Sequence, residues 1–123
     1  MKKGITVDEI RRAFALTRQA GIKTIASFMI GNVGDTAATV GETMRLCLDI
    51  EPDEFGFAVA TPLPGTVFYR IAQEKGWIES YDWRDYSEFT PVSRNQALTR
   101  AEIKALRDRA DQEVRFAFSK RRK

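Results

Sequence analysis

Residues 24–36 read TIASFMIGNVGDT. Ile25, Ala26, Phe28, Met29 and Ile30 form a near-continuous apolar run, interrupted only by Ser27. A strand with one wet face alternates apolar and polar side chains. A run of this kind predicts a strand buried on both faces, as in a parallel sheet. Gly31 and Gly34 then bracket Asn32 and Val33. Glycine adopts positive φ without a steric penalty and lets backbone come close to a neighbour, so the turn can hold N–H groups against a ligand. In open α/β sheets and in α/β barrels, ligands sit at the carboxyl ends of strands. Two readings stay open here: a strand end that contacts a nucleotide-like ligand, or a tight strand-to-helix turn with no ligand.

On the N-terminal side, Thr6 and Glu9 have the spacing of a capping box, with Ile5 and Ile10 as its hydrophobic staple. The spacing predicts a helix to about Ala20 with Ile10, Ala13, Phe14 and Thr17 on one face, stopped by Gly21. On the C-terminal side, a second helix starts near Thr36 or Thr39 and runs to about Ile50. Val40, Met44, Cys47 and Leu48 share one of its faces, so Cys47 reads as a small buried apolar residue. Pro52 closes that helix, and EFGFAVAT at 54–61 predicts a second strand. A proline-rich turn follows, then a helix capped by Thr66. It carries Phe68, Ile71, Ala72 and Lys75 at helical spacing, and Gly76 and Trp77 end it. Strands alternating with helices of this length imply parallel βα units with right-handed crossovers.

Residues 79–97 change character: Tyr81, Trp83, Tyr86 and Phe89 alternate with charges of both signs. The acidic residues argue against a nucleic-acid surface. The stretch reads as an irregular arm that packs its aromatics on a neighbour. Thr99 and Glu102 form another capping box, with Leu98 and Ile103 as staple. A last helix to about Phe118 would bury Ile103, Leu106, Ala110, Val114 and Ala117. The pattern of strand, glycine turn, threonine and helix occurs twice, as a barrel segment would show.

The chain has 123 residues, 43% hydrophobic and 30% charged, which suits one ordinary globular domain. No apolar run approaches the roughly 18 residues of a membrane span. The start lacks a secretory h-region, so no membrane association and a cytoplasmic location are expected. With one cysteine and no histidine, the sequence excludes Ser-His-Asp and Cys-His catalysis and multi-cysteine metal sites within these residues. The net charge is +3, but residues 120–123 hold four of the twenty Lys and Arg residues. The preceding 119 residues have sixteen cations against seventeen anions, a net −1. A basic cluster there reads as a solvated helix end rather than a nucleic-acid contact.

The segments AGIKTIASFMIGNVGDT (20–36) and ETMRLCLDIEPDEFGFAVATPLPGTVFYRIAQEKGWI (42–78) resemble the C-terminal part of the radical S-adenosylmethionine core. Within that superfamily the likeness is greatest to enzymes that also carry a cobalamin-binding domain. Their usual forms are Ile-Gly-Leu-Pro-Gly-Glu-Thr and Thr-Pro-Tyr-Pro-Gly-Thr. Here IGNVGDT stands at 30–36 and TPLPGT at 61–66. The two motifs together are fairly specific, and the likeness covers about residues 1–118. It implies an α/β fold of parallel βα units, a fragment of a partial TIM-like (β/α) barrel. The family's fifth strand lines the adenine pocket, which places Met29, Gly31 and Asn32 near adenine. Its sixth strand contributes backbone near the nucleotide, which falls on Ala60, Thr61 and Pro62. Two departures touch the first turn: Asn32 and Val33 replace Leu-Pro, and Asp35 replaces Glu.

The family's CxxxCxxC motif, which holds a four-iron, four-sulfur cluster, is absent. Cys47 cannot substitute, since ligation needs several thiolates. No catalytic or metal-ligating residue is therefore assigned, and no cofactor is expected on this chain alone. S-adenosylmethionine, the cluster and, by resemblance, cobalamin belong to a longer parent enzyme. The expectation is an excised fragment rather than a relic. It holds late barrel units at 1–78, the arm at 79–97, a helix at 98–119 and a basic tail at 120–123. Its partner would be the missing N-terminal half of the barrel, or a second copy in a homodimer. The rival expectations are a stand-alone nucleotide- or phosphate-binding module and a non-enzymatic interaction domain.

Overall fold

The computed structural model describes residues 6–82, 84, 86, 87 and 89–121. The element order is α1 (Val7–Gln19), β1 (Ile25–Ile30), α2 (Ala37–Ile50), β2 (Glu54–Val59), α3 (Val67–Glu74) and α4 (Arg100–Arg121). The fold is mixed α/β, with a two-stranded parallel sheet and four helices among the described residues.

A threonine opens every helix. Thr6, Thr36, Thr66 and Thr99 accept from the backbone N–H of Glu9, Thr39, Tyr69 and Glu102 at 3.1–3.2 Å. The side chains of Thr39 and Glu102 return the bond to the cap N–H at 2.8 and 3.0 Å, completing two capping boxes. The predicted staple residue Ile5 lies outside the described residues. Gly21, Gly34, Gly65 and Gly76, at the helix ends and turns, all have positive φ.

The ladder pairs Ala26 with Phe55, Phe28 with Phe57 and Ile30 with Val59. Residues paired in a parallel ladder share a face, and this is the covered one. Phe28 and Phe57 stack with ring centroids 5.4 Å apart. Val40 and Cys47 of α2 and Ile103, Ala110 and Val114 of α4 join Ile30, Phe57 and Val59 in one buried cluster. Across the sheet, Ile25 pairs with Glu54, Ser27 with Gly56 and Met29 with Ala58. On this side Ile25 is 65% and Met29 50% exposed. The expectation that β1 is buried on both faces is therefore corrected. The two helices that bury the sheet lie on the same side of it.

Other boundaries also shift. α1 buries no residue and Ala13 is exposed. α1 is tied to α2 by Arg11, 2.9 Å from Asp49, and by Arg18 donating to the Ile50 carbonyl. β2 ends at Val59 rather than Thr61, although the Ala60 N–H still donates to the Ile30 carbonyl at 2.8 Å. α4 continues through Lys120 and Arg121, so these belong to the helix and not to a separate tail. Arg121 donates to the Leu48 carbonyl at 2.9 Å.

The arm sets one aromatic, Phe89, beneath the Arg107 guanidinium of α4, 4.6 Å from the ring centroid. Its Tyr81 and Phe89 remain exposed, while Val92, Ser93 and Asn95 turn inward. Trp83, also assigned to that aromatic set, lies outside the described residues. Backbone bonds from Glu79 to Val92 (2.8 Å) and from Arg94 to Trp77 (3.1 Å) close the arm into a loop.

Candidate functional site

Both strands deliver their carboxyl ends to one cavity of about 720 Å³. Met29 reaches it from the bare face of β1, Asn32 and Val33 from the turn beyond, and Thr61 and Leu63 from the turn after β2. Val67, Phe68 and Ile71 of α3 close the far wall, and Thr66 adds a hydroxyl. None of these lining residues is ionisable. The cavity is thus apolar, with an amide and two hydroxyls at its edge, the usual character of a site for a flat organic ligand.

Of the six residues singled out in the sequence, Met29, Asn32 and Thr61 meet on this cavity. Gly31, Ala60 and Pro62 are buried and do not line it. Gly31 has φ 94°, and a Cβ there would sit 2.9 Å from the Ile103 side chain. Its glycine is demanded by the approach of α4.

Five of the six backbone N–H groups of the turn at 31–36 are already engaged within the protein. The Gly31 N–H donates to Asp35 Oδ2 at 2.9 Å and the Val33 N–H to Asn32 Oδ1 at 2.8 Å. The Gly34 N–H donates to Gln96 Oε1 at 3.0 Å, the Asp35 N–H to the Asn32 carbonyl at 3.0 Å and the Thr36 N–H to Thr39 Oγ1 at 2.8 Å. Asp35 Oδ1 also accepts from the Thr39 hydroxyl. An incoming phosphate would have to displace these acceptors and face the Asp35 carboxylate. Five of the turn's N–H groups are thus committed to acceptors of the protein itself.

Sequence reasoning missed Asn95 and Gln96. Asn95 is 0% exposed. Its Nδ2 donates to the carbonyls of Asn32 (2.9 Å) and Asp35 (3.0 Å), while its Oδ1 accepts from the N–H groups of Ala97 (3.0 Å) and Leu98 (2.7 Å). Gln96 Nε2 adds a bond to the Asp35 carbonyl at 3.0 Å. In the sequence these residues sit in a polar loop some sixty positions from the turn, and no periodicity connects them.

Cys47 lies away from the cavity, fully buried in the helix-covered core, where burial pushes its thiol from 9.0 up to about 11. Such a thiol is inert, as read from the sequence. Among the described residues no group of three or more His, Cys, Asp or Glu could hold a metal, and no helix is long and apolar enough to cross a membrane.

No protein-family model matches the chain. Three curated relatives are similar to most of it. The anaerobic magnesium-protoporphyrin IX monomethyl ester cyclase of Cereibacter sphaeroides is 35% identical over 101 residues, 82% of this chain and 16% of the relative. The protein of the same name in Rubrivivax gelatinosus is 31% identical over 103 residues, 84% of this chain and 18% of the relative. An uncharacterized methyltransferase of Pyrococcus horikoshii is 29% identical over 104 residues, 85% of this chain and 23% of the relative. The chain thus spans less than a quarter of the length of each of these proteins, and over that span it is similar to cyclases and to a methyltransferase alike.

Proposed function

We propose that this chain forms late βα units of the partial barrel of a radical S-adenosylmethionine enzyme, and that its cavity receives the adenosyl part of S-adenosylmethionine. One observation carries the reading. Met29, Asn32 and Thr61, drawn from two motifs about thirty residues apart, converge on one apolar cavity at the carboxyl ends of parallel strands. The paired motifs and the similarity to a cyclase and a methyltransferase support it.

The lining suits an adenosyl group: the Met29 side chain and the α3 wall for the purine face, Asn32 for its edge, and Thr61 for a ribose hydroxyl. It does not suit an iron–sulfur cluster, since the single thiol is buried elsewhere. In this proposal, sequence beyond these 123 residues supplies the cluster ligands and the strands that complete the barrel. Bound in such enzymes, S-adenosylmethionine would supply, on one-electron reduction by the cluster and loss of methionine, a 5′-deoxyadenosyl radical that abstracts hydrogen from substrate. This chain's part is to seat the adenosyl group and wall the substrate space.

Equilibrium dialysis of the chain against S-adenosylmethionine tests the reading. Saturable binding is expected, competed by 5′-deoxyadenosine and weakened in Met29→Trp, which sets an indole where the purine face is proposed to lie. An absence of saturable binding at millimolar ligand would overturn it.

A further inference from the structure

We propose that Asn95 and Gln96 are positioning residues, a latch by which the arm holds the 31–35 turn in the shape that lines the cavity. The argument starts from hydrogen-bond accounting. The carbonyls of Asn32 and Asp35 and the N–H of Gly34 precede the helix that follows and stand outside its hydrogen-bond ladder. Within the turn only the Asn32 carbonyl finds a partner, the Asp35 N–H. The arm supplies the others: Asn95 Nδ2 bridges both carbonyls, and Gln96 takes the Asp35 carbonyl and the Gly34 N–H. Asn95 uses both ends, since its Oδ1 binds the N–H groups of Ala97 and Leu98 just ahead of α4. Ile103, one turn into α4, then packs against Gly31. The turn is thus gripped at both ends by one continuous stretch of chain. Asn32 and Val33, which line the cavity, sit between those grips.

Two variants separate the latch from general stability. Gln96 is exposed, so Gln96→Ala cuts the grip on Gly34 and Asp35 without opening the core. Asn95→Asp keeps the Oδ1 bonds to Ala97 and Leu98 but sets an acceptor against the two turn carbonyls. Two readouts are used on the full chain: amide hydrogen exchange of Gly34, and affinity for S-adenosylmethionine. The affinity readout rests on the adenosyl reading above; the exchange readout does not. In both variants, exchange at Gly34 is expected to rise and affinity to fall by about tenfold each, the worth of one or two hydrogen bonds. In Gln96→Ala the loss of global stability is expected not to exceed that same tenfold. Unchanged exchange overturns the latch, and faster exchange with wild-type affinity overturns its positioning role. If the wild-type chain binds no S-adenosylmethionine, the adenosyl reading alone fails. Faster exchange at Gly34 then still upholds the latch, and unchanged exchange still overturns it.

Discussion

The two faces of the sheet both carry large apolar side chains of β1 and meet different surroundings. On one face Phe28, Phe57, Ile30 and Val59 pack beneath α2 and α4. On the other, Ile25 and Met29 stand in solvent beside Gly56 and Ala58. Alternation in a strand normally separates a wet face from a dry one. β1 instead carries apolar side chains on both, and this chain covers one. The difference teaches that an apolar run reports the surroundings a strand is made for, while burial reports what one stretch of polypeptide can supply. The bare face is continuous with the cavity through Met29, so the uncovered surface and the candidate site are one region.

Substitutions should fall unequally across the two faces. Phe57→Ala, on the covered face, is expected to lower unfolding free energy by about 3–5 kcal/mol, the usual cost of emptying an aromatic core position. Denaturant titration reads this directly, and a loss under about 1 kcal/mol would mean that the covered face is not the core.

The next effect is a pH window on the same side. The Cys47 thiol is held neutral by burial, its pKa raised from 9.0 to about 11. The folded state therefore keeps a proton that the unfolded state releases. The contribution is fully present below pH 9 and is lost as pH rises towards 11. Relative to Cys47→Ala, the wild type should lose about 2–3 kcal/mol across that window. Parallel pH profiles would show that Cys47 is solvated.

Thr99→Ala removes the cap of the helix that covers the sheet and should cost about 1 kcal/mol. An unchanged midpoint would break the link between that cap and the covered face.

The smallest stability effect belongs to the bare face. Met29→Lys should change unfolding free energy by less than about 0.5 kcal/mol. It should act instead on association. Among the described residues each strand has one unpaired edge in the two-stranded sheet, and such edges together with exposed apolar surface drive pairing with another chain. Sedimentation across a dilution series is expected to show a two-fold dimer that Met29→Lys shifts to monomer. A wild-type monomer at high concentration would mean that the bare face needs no cover.

Local chemistry was legible in the sequence because it acts within one turn of chain. The threonine caps, the glycines at positive φ and the shared face of Val40, Met44, Cys47 and Leu48 follow from spacings of three and four residues. So does the buried stripe of Ile103, Ala110 and Val114. Met29, Asn32 and Thr61 were legible as strand-end residues because their motifs name them. What only the tertiary structure decided are the contacts that close long loops: which face of β1 the helices cover, how Gly31 yields to Ile103, and how Asn95 and Gln96 hold a turn some sixty residues away. Hydrogen bonds and packing across such distances carry no period along the chain. A buried asparagine in a loop looks, residue by residue, the same as a solvated one.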